Sequence, residues 1–254
     1  SATPKRECAA LAEGRRGPLA IAFLSMILMG AIFSMTGALL PVMVRELAMS
    51  DAQAGLLVSS PAVGYVITAG FSGALGDRLG FKRIWLAGIA LGLLALVGVS
   101  LAPTFLWLLP AMAAVGLVGG ALDGAINPLI VTLYGERAGG VLNWVHLFFG
   151  VGATFTPLLV GLGLRAGLAW RSHFAALAGY VLLIGLVIAA TRFPPTRRRE
   201  TPSHEAISLR TMLTSRLVIL GVVAMFLYVG SEASMFSWIA LYLVRLHAVT
   251  VSTA

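Results

Sequence analysis

Charge is what this sequence has least of. Only 11% of its 254 residues are Asp, Glu, Lys or Arg, while 59% are hydrophobic; a soluble domain carries about 25% charged residues. That scarcity excludes an ordinary soluble globular domain and points to an integral membrane protein. Cysteine is almost absent: Cys8 stands alone in the polar N-terminal stretch, so neither a disulfide framework nor a Cys-based metal site can be built within the chain. No His-Glu-x-x-His spacing occurs, and His173, His204 and His247 lie near or beyond span ends, which leaves metal chemistry unsupported. Nucleophile–base constellations are missing as well, so no enzyme and no cofactor is expected. Alternating-polarity strands of the kind that form membrane barrels are lacking too.

Long apolar runs are what the sequence does have. About 20 apolar residues cross a bilayer as a helix, and seven such runs are read, at about 19–44, 53–75, 84–102, 105–134, 141–164, 169–191 and 217–244. The first is too long for a signal-peptide core. Glycine is plentiful, at 29 residues, which suits close helix packing in lipid. The net charge of +8 is confined mostly to one set of loops. Lys5, Arg6, Arg15 and Arg16 precede the first span; Arg78, Lys82 and Arg83 follow the second; Arg137 follows the fourth. Arg192, Arg197, Arg198, Arg199, Arg210 and Arg216 follow the sixth, and only Arg45, Arg165, Arg171 and Arg245 fall on the other side. The positive-inside bias therefore places the N-terminus and the 192–216 loop in the cytoplasm, in a multi-pass protein of the cytoplasmic (inner) membrane. The Arg run is expected to touch anionic lipid, not nucleic acid.

The expected layout is a tail over 1–18, a six-helix bundle over 19–191, a cytoplasmic loop over 192–216 and a further helix within 217–254. Spans one and four echo one another: "TGALLPVMV" (Thr36–Val44) aligns with "DGAINPLIV" (Asp123–Val131). The two spans cross in opposite directions, as an inverted three-helix repeat requires, and such repeats surround a midplane site in secondary transporters. The fold class is thus an all-α membrane protein, two inverted three-helix repeats plus a seventh transmembrane helix. Ending on one extra helix reads as a fragment or truncated frame that lacks the rest of a second bundle.

Of ten acidic residues, only Asp123 and Glu232 lie well inside spans. Each costs about 2.5–3.5 kcal/mol at a helix centre, which is tolerable where the group faces a cavity or a partner. Asp123 and Asn127 are one turn apart and share a helix face, beside a stripe of Gly116, Gly120 and Gly124. Function is the default reading of an intramembrane carboxylate; the alternative is a structural hydrogen bond to another helix. Glu232 sits in "YVGSEASMFSW" with Trp238, near Ser231, Ser234 and Tyr242. Polar atoms beside rings suit a polyhydroxylated, sugar-like ligand, although Tyr242 equally fits an interfacial belt. Asn143 and His146, three apart in span five, are candidates to bind substrate or relay protons, or simply to bond a neighbouring helix.

Between spans two and three, "GALGDRLGFKR" resembles the gate signature of the major facilitator superfamily, with Gly73, Asp77, Arg78, Gly80, Lys82 and Arg83 in register. Phe81 stands where that signature usually has a basic residue. The physical logic is a gate in which Asp77 caps a facing helix N-terminus and the arginines pair with acids on adjacent helix ends, Glu136 being the nearest candidate. "GGALDGAINPL", "LNWVHLFFGVGATFTPLL" and "FLYVGSEASMFSWIALYL" are similar to the fucose-permease-like branch of that superfamily, which includes sugar–cation symporters. The resemblance implies a twelve-helix carrier rocking about a central site, of which this chain supplies the first half and one helix, the missing C-terminal half being needed for function. It implies Asp123 as the cation-coupling residue, with substrate contacts from Asn127, Asn143, His146, Glu232 and Trp238. Ser34 and Thr36 stand where some members carry a first-span acid, so proton and sodium both remain open as the coupling ion. Sugar–cation symport is the expected function; efflux antiport and a transport-inactive receptor or scaffold are the alternatives.

Overall fold

All seven expected spans are α-helices in the computed structural model. It describes residues 4–191, 193, 214–247, 249 and 250, with side chains described from Arg16 onward except at 73, 74 and 77. Most of the 192–216 connector, including Arg197, Arg198 and Arg199, lies outside the described residues. The helices are α1 (Pro4–Glu46), α2 (Asp51–Leu79), α3 (Phe81–Leu101), α4 (Phe105–Tyr134), α5 (Ala138–Arg165), α6 (Trp170–Ala190) and α7 (Arg216–His247). Every one contributes to a stretch long and apolar enough to cross a bilayer; the 61-residue stretch Phe105–Arg165 holds both α4 and α5. The chain is a multi-pass membrane protein.

Local chemistry explains where the helices begin and end. Ser50 and Gln53 form a reciprocal capping box at the start of α2, 3.2 Å and 2.9 Å, which satisfies two otherwise orphaned N–H groups. Gly80 (φ 87°) breaks the chain between α2 and α3, and Gly135 (φ 54°) closes α4; both need the positive φ that glycine adopts without strain. Inside α2, Pro61 cannot donate to the Leu57 carbonyl, and the Ser60 hydroxyl takes that carbonyl at 2.9 Å. This is how a proline survives in lipid, where no water is available to the freed group.

The bundle is held by two equivalent crossings. Gly30 of α1 lies against the Phe149 carbonyl of α5, and Gly152 of α5 against the Ile27 carbonyl of α1. Gly116 of α4 lies against the Pro61 carbonyl of α2, and Gly64 of α2 against the Ala113 carbonyl of α4. In each pair a glycine faces the carbonyl three residues before the partner's glycine. Thus α1 meets α5 as α4 meets α2, the relation two inverted three-helix repeats predict. Helix α3 packs on α4 and α6, while α7 packs chiefly on α1.

Polar staples tie the ends. At the end that carries the 47–50 turn, Glu46 closing α1 accepts from Trp170 Nε1 (2.9 Å) and from the Arg171 guanidinium. Arg171 also donates to the Ala102 carbonyl at the end of α3 (3.0 Å) and lies over the Trp170 ring. One guanidinium so joins α1, α3 and α6. At the other end, which we call the motif end, Lys82 Nζ donates to the Ala189 and Thr191 carbonyls at 2.9 and 2.8 Å. It therefore satisfies the last carbonyls of α6 and complements the negative end of its dipole. Phe193 lies under Lys82 and edge-on to the fully buried Trp85, which bonds Ser25 of α1.

The expected pairing of the gate motif's arginines with Glu136 does not appear. Among the described residues Glu136 forms no ion pair; the pairs are Arg171–Glu46 and Arg245–Asp51. Glu136 is an exposed, solvent-screened charge, and Lys82, for which no partner was expected, goes to helix carbonyls, two acceptors in fixed geometry. The Asp77 side chain lies outside those described. Lys82→Met should lower thermal stability by about 1–2 kcal/mol, with Lys82→Arg recovering most of it, as read by thermal unfolding in detergent.

Candidate functional site

A tyrosine not singled out from the sequence completes the site. Tyr65 of α2 donates its hydroxyl to Asp123 Oδ2 at 2.7 Å, and Asn127 Nδ2 donates to Asp123 Oδ1 at 2.7 Å. Asp123 lies in the middle third of α4 and is partly exposed, as are Asn127 and Tyr65. A single carboxylate thus carries one donor on each oxygen and keeps a face open. Asn127 Oδ1 is buried with no partner among the described residues. A buried acceptor of this kind ordinarily finds a donor or an ion.

The glycine stripe is what brings Tyr65 within reach. Without side chains at Gly116 and Gly120, the backbone of α2 settles on that of α4 at Pro61 and Tyr65. The Tyr65 ring lies across Gly119, where a Cβ would stand 3.3 Å from the ring. The approach is locked by two hydroxyls: Thr68 donates to the Leu117 carbonyl at 2.9 Å, and Ser72 to the Gly120 carbonyl at 3.3 Å. Hydroxyl-to-backbone bonds suit a lipid-embedded crossing because each group would otherwise lie unsatisfied in hydrocarbon. The sequence signal for Tyr65 was available: a phenol in the middle of a span, instead of at its interface, needs a hydrogen-bond partner.

The remaining expected residues fall on two other helices. Asn143 and His146 are exposed on α5. His146 Nδ1 lies 2.9 Å from the Leu142 carbonyl of its own helix, an acceptor to which it can only donate. Glu232 and Trp238 lie on α7, with Glu232 partly buried and Trp238 37% exposed. Among the described residues no hydrogen bond or ion pair joins Glu232 or His146 to Asp123. The structure joins Asp123, Asn127 and Tyr65 by hydrogen bonds; among the described residues none links the others to that cluster. Phe33 of α1 bridges α5 and α7, edge-on to Phe149 and to Phe236 at 5.8 Å each.

A family model described as Major Facilitator Superfamily matches residues 22–254. The chain is 27% identical over 154 residues to the uncharacterized MFS-type transporter YfkL of Bacillus subtilis (strain 168), covering 59% of this chain and 38% of that protein. It is 30% identical over 159 residues to the multidrug resistance protein MdtG of Salmonella arizonae, covering 58% of this chain and 38% of that one. The match therefore spans well under half the length of either relative. Among solved structures, a bacterial homolog of the human lysosomal transporter Spinster, inward-facing and unoccupied, superposes with a TM-score of 0.74 at 20% identity, over 100% of this chain and 58% of that chain. A D-xylose–proton symporter superposes with a TM-score of 0.70 at 17% identity, over 93% of this chain and 63% of that chain. Likenesses at these identities are of fold.

Proposed function

This chain belongs to the major facilitator superfamily, a family of transporters, and on that premise we propose that it carries the cation-coupling half of a solute–cation symporter whose solute is a sugar. The observation that carries this reading is the Tyr65–Asp123–Asn127 cluster: a carboxylate in the middle of a span, held by two donors and open on one side. An acid kept at that depth earns its place by loading and releasing a cation. Proton and sodium both fit, since Asp123 and the unpartnered Asn127 Oδ1 offer oxygen ligands. Substrate contacts come from Asn127, Asn143, His146, Glu232 and Trp238, whose mix of amide, imidazole, carboxylate and indole suits hydroxyls and C–H faces. Helix α7 opens the second bundle that would close the cavity, the motif end faces the cytoplasm, and the membrane is the cytoplasmic one. The fucose-permease-like resemblance supports the sugar; the similarity to MdtG favours a second reading, efflux by cation antiport.

Flux through the full-length protein in proteoliposomes decides between them. Symport predicts uphill uptake of a labelled sugar under an imposed proton or sodium gradient, with competition by a narrow set of sugars. Antiport predicts movement against the cation gradient and competition by many apolar compounds. No gradient-driven flux of either kind would leave a receptor or scaffold and defeat the proposal.

A further inference from the structure

Helix α5 presents two exposed faces of different chemistry. Trp144, Val151, Phe155, Leu159 and Leu162 recur at helical spacing on one of them. Asn143, His146, Gly150 and Thr154 recur at three- and four-residue steps on the other. The buried side of the helix, through Val145, Gly152 and Thr156, lies on α1, where Gly152 meets the Ile27 carbonyl. Two phenylalanines show which way each exposed face is turned. Phe148, one turn from Trp144, stacks on Phe23 of α1 at 4.4 Å. Phe149, next to His146 around the helix, meets Phe33, and Phe33 meets Phe236 of α7. The polar face therefore lies on the side of the bundle that carries α7, and the apolar face is turned away from it, to lipid.

Thr154 is the residue on the polar face whose hydrogen bonding is incomplete. In other spans a hydroxyl closes on a carbonyl of its own helix: Ser34 on Gly30, Thr68 on Gly64, Ser100 on Leu96 and Thr132 on Pro128. The Thr154 hydroxyl is exposed and bonds no described residue, a state that hydrocarbon penalises and a watery chamber does not. Gly150, one turn before it, has open space where a Cβ would stand. Helix α4 ends and α5 begins at the same short turn, 135–137, and Asp123 and Gly150 each stand about three turns from it. The two lie at one depth. We propose that Gly150 and Thr154 are solute contacts that decide which sugar fits: Gly150 is the flat step on which a sugar ring lies, level with Asp123, and Thr154 binds a ring hydroxyl one turn nearer the end opposite the motif. The assignment rests on the symport reading and carries the solute site along α5 beyond Asn143 and His146.

Thiol labelling and transport kinetics test the two roles separately. In a full-length form whose native cysteines are replaced, Gly150→Cys, Thr154→Cys, Val151→Cys and Phe155→Cys are made singly and treated in proteoliposomes with a small, charged, membrane-impermeant thiol reagent. Gly150→Cys and Thr154→Cys should label about tenfold faster than the other two, because the reactive thiolate forms in water and not in hydrocarbon. A transported sugar, tried as D-glucose, D-xylose and L-fucose in turn, should slow their labelling severalfold. Thr154→Val should raise the KM for that sugar about three- to tenfold, the worth of one hydrogen bond, with little change in kcat, and Thr154→Ser should restore it. Equal labelling of the two faces, or a transported sugar that protects neither position, would overturn the assignment. If the wild-type protein moves none of the three sugars under a proton or sodium gradient, it is the sugar-symport reading that fails, and these contacts fall with it.

Discussion

Replacing Asp123 by Asn in the full-length protein is expected to abolish uphill solute accumulation while counterflow persists. The argument is electrostatic. A carboxylate at the centre of a span costs about 2.5–3.5 kcal/mol when it must be sealed from water, and a bound proton or sodium ion removes that cost. At about 1.4 kcal/mol per decade, the proposed mechanism has the cation-free carrier reorient roughly 60–300 times less readily than the loaded one, and this difference would be the coupling. An Asn is neutral in every state, so the barrier is equal with and without cation. The new Asn Oδ1 still accepts from the Tyr65 hydroxyl, and its Nδ2 donates to Asn127 once that amide flips to present Oδ1, so the site keeps its shape and exchange of solute continues. Accumulation under a cation gradient should drop to the equilibrium ratio, with counterflow within a few-fold of wild type. Accumulation unchanged, beside intact counterflow, would take the coupling role away from Asp123. Tyr65→Phe separates holding from coupling: it removes one of the two donors, so it should weaken solute flux several-fold without erasing the dependence on the gradient.

The sequence made some of this readable and hid the rest, for identifiable reasons. Hydropathy exposes spans directly, because the need to bury about 20 residues in hydrocarbon acts on composition alone. Asp123 and Asn127 were readable as one face because α-helical spacing is local. Tyr65 lies 58 residues from Asp123, and its role depends on how closely two helices approach, which the spacing within either does not reveal. Lys82 shows a harder case. Its partners are the carbonyls of Ala189 and Thr191, and a carbonyl carries no side-chain identity for a pattern to catch. Nothing in the charge pattern therefore joins Lys82 to the end of α6, and only the docked fold does. Glu46 and Arg171 were read only as charges near span ends and Trp170 was not singled out, since their meeting requires α1 and α6 to be docked.

The glycine stripe is where local reading and tertiary consequence meet, and it carries the second large effect. Gly120→Leu should unseat α2 from α4. A Cβ there would strike the Tyr65 carbonyl and the Thr68 hydroxyl, and the obstacle is backbone, which cannot swing aside as a flexible side chain can. Overpacking of this kind costs about 1–3 kcal/mol before any bond is lost. Displacing α2 then breaks Thr68 to Leu117, Ser72 to Gly120 and Tyr65 to Asp123, each worth about 0.6 kcal/mol between membrane helices. The total, roughly 3–5 kcal/mol, should appear as a large fall in unfolding temperature and in the yield of folded protein. Gly179→Leu is the matched comparison: it lies exposed on α6 with open space where a Cβ would go, so it should leave both unchanged. Because the same displacement removes the Tyr65 donor, Gly120→Ala, the milder variant, should impair cation-driven flux in step with its loss of stability. Equal stability for Gly120→Leu and Gly179→Leu would mean that α2 and α4 do not cross at this glycine, and the geometry that seats Tyr65 on Asp123 would fall with it.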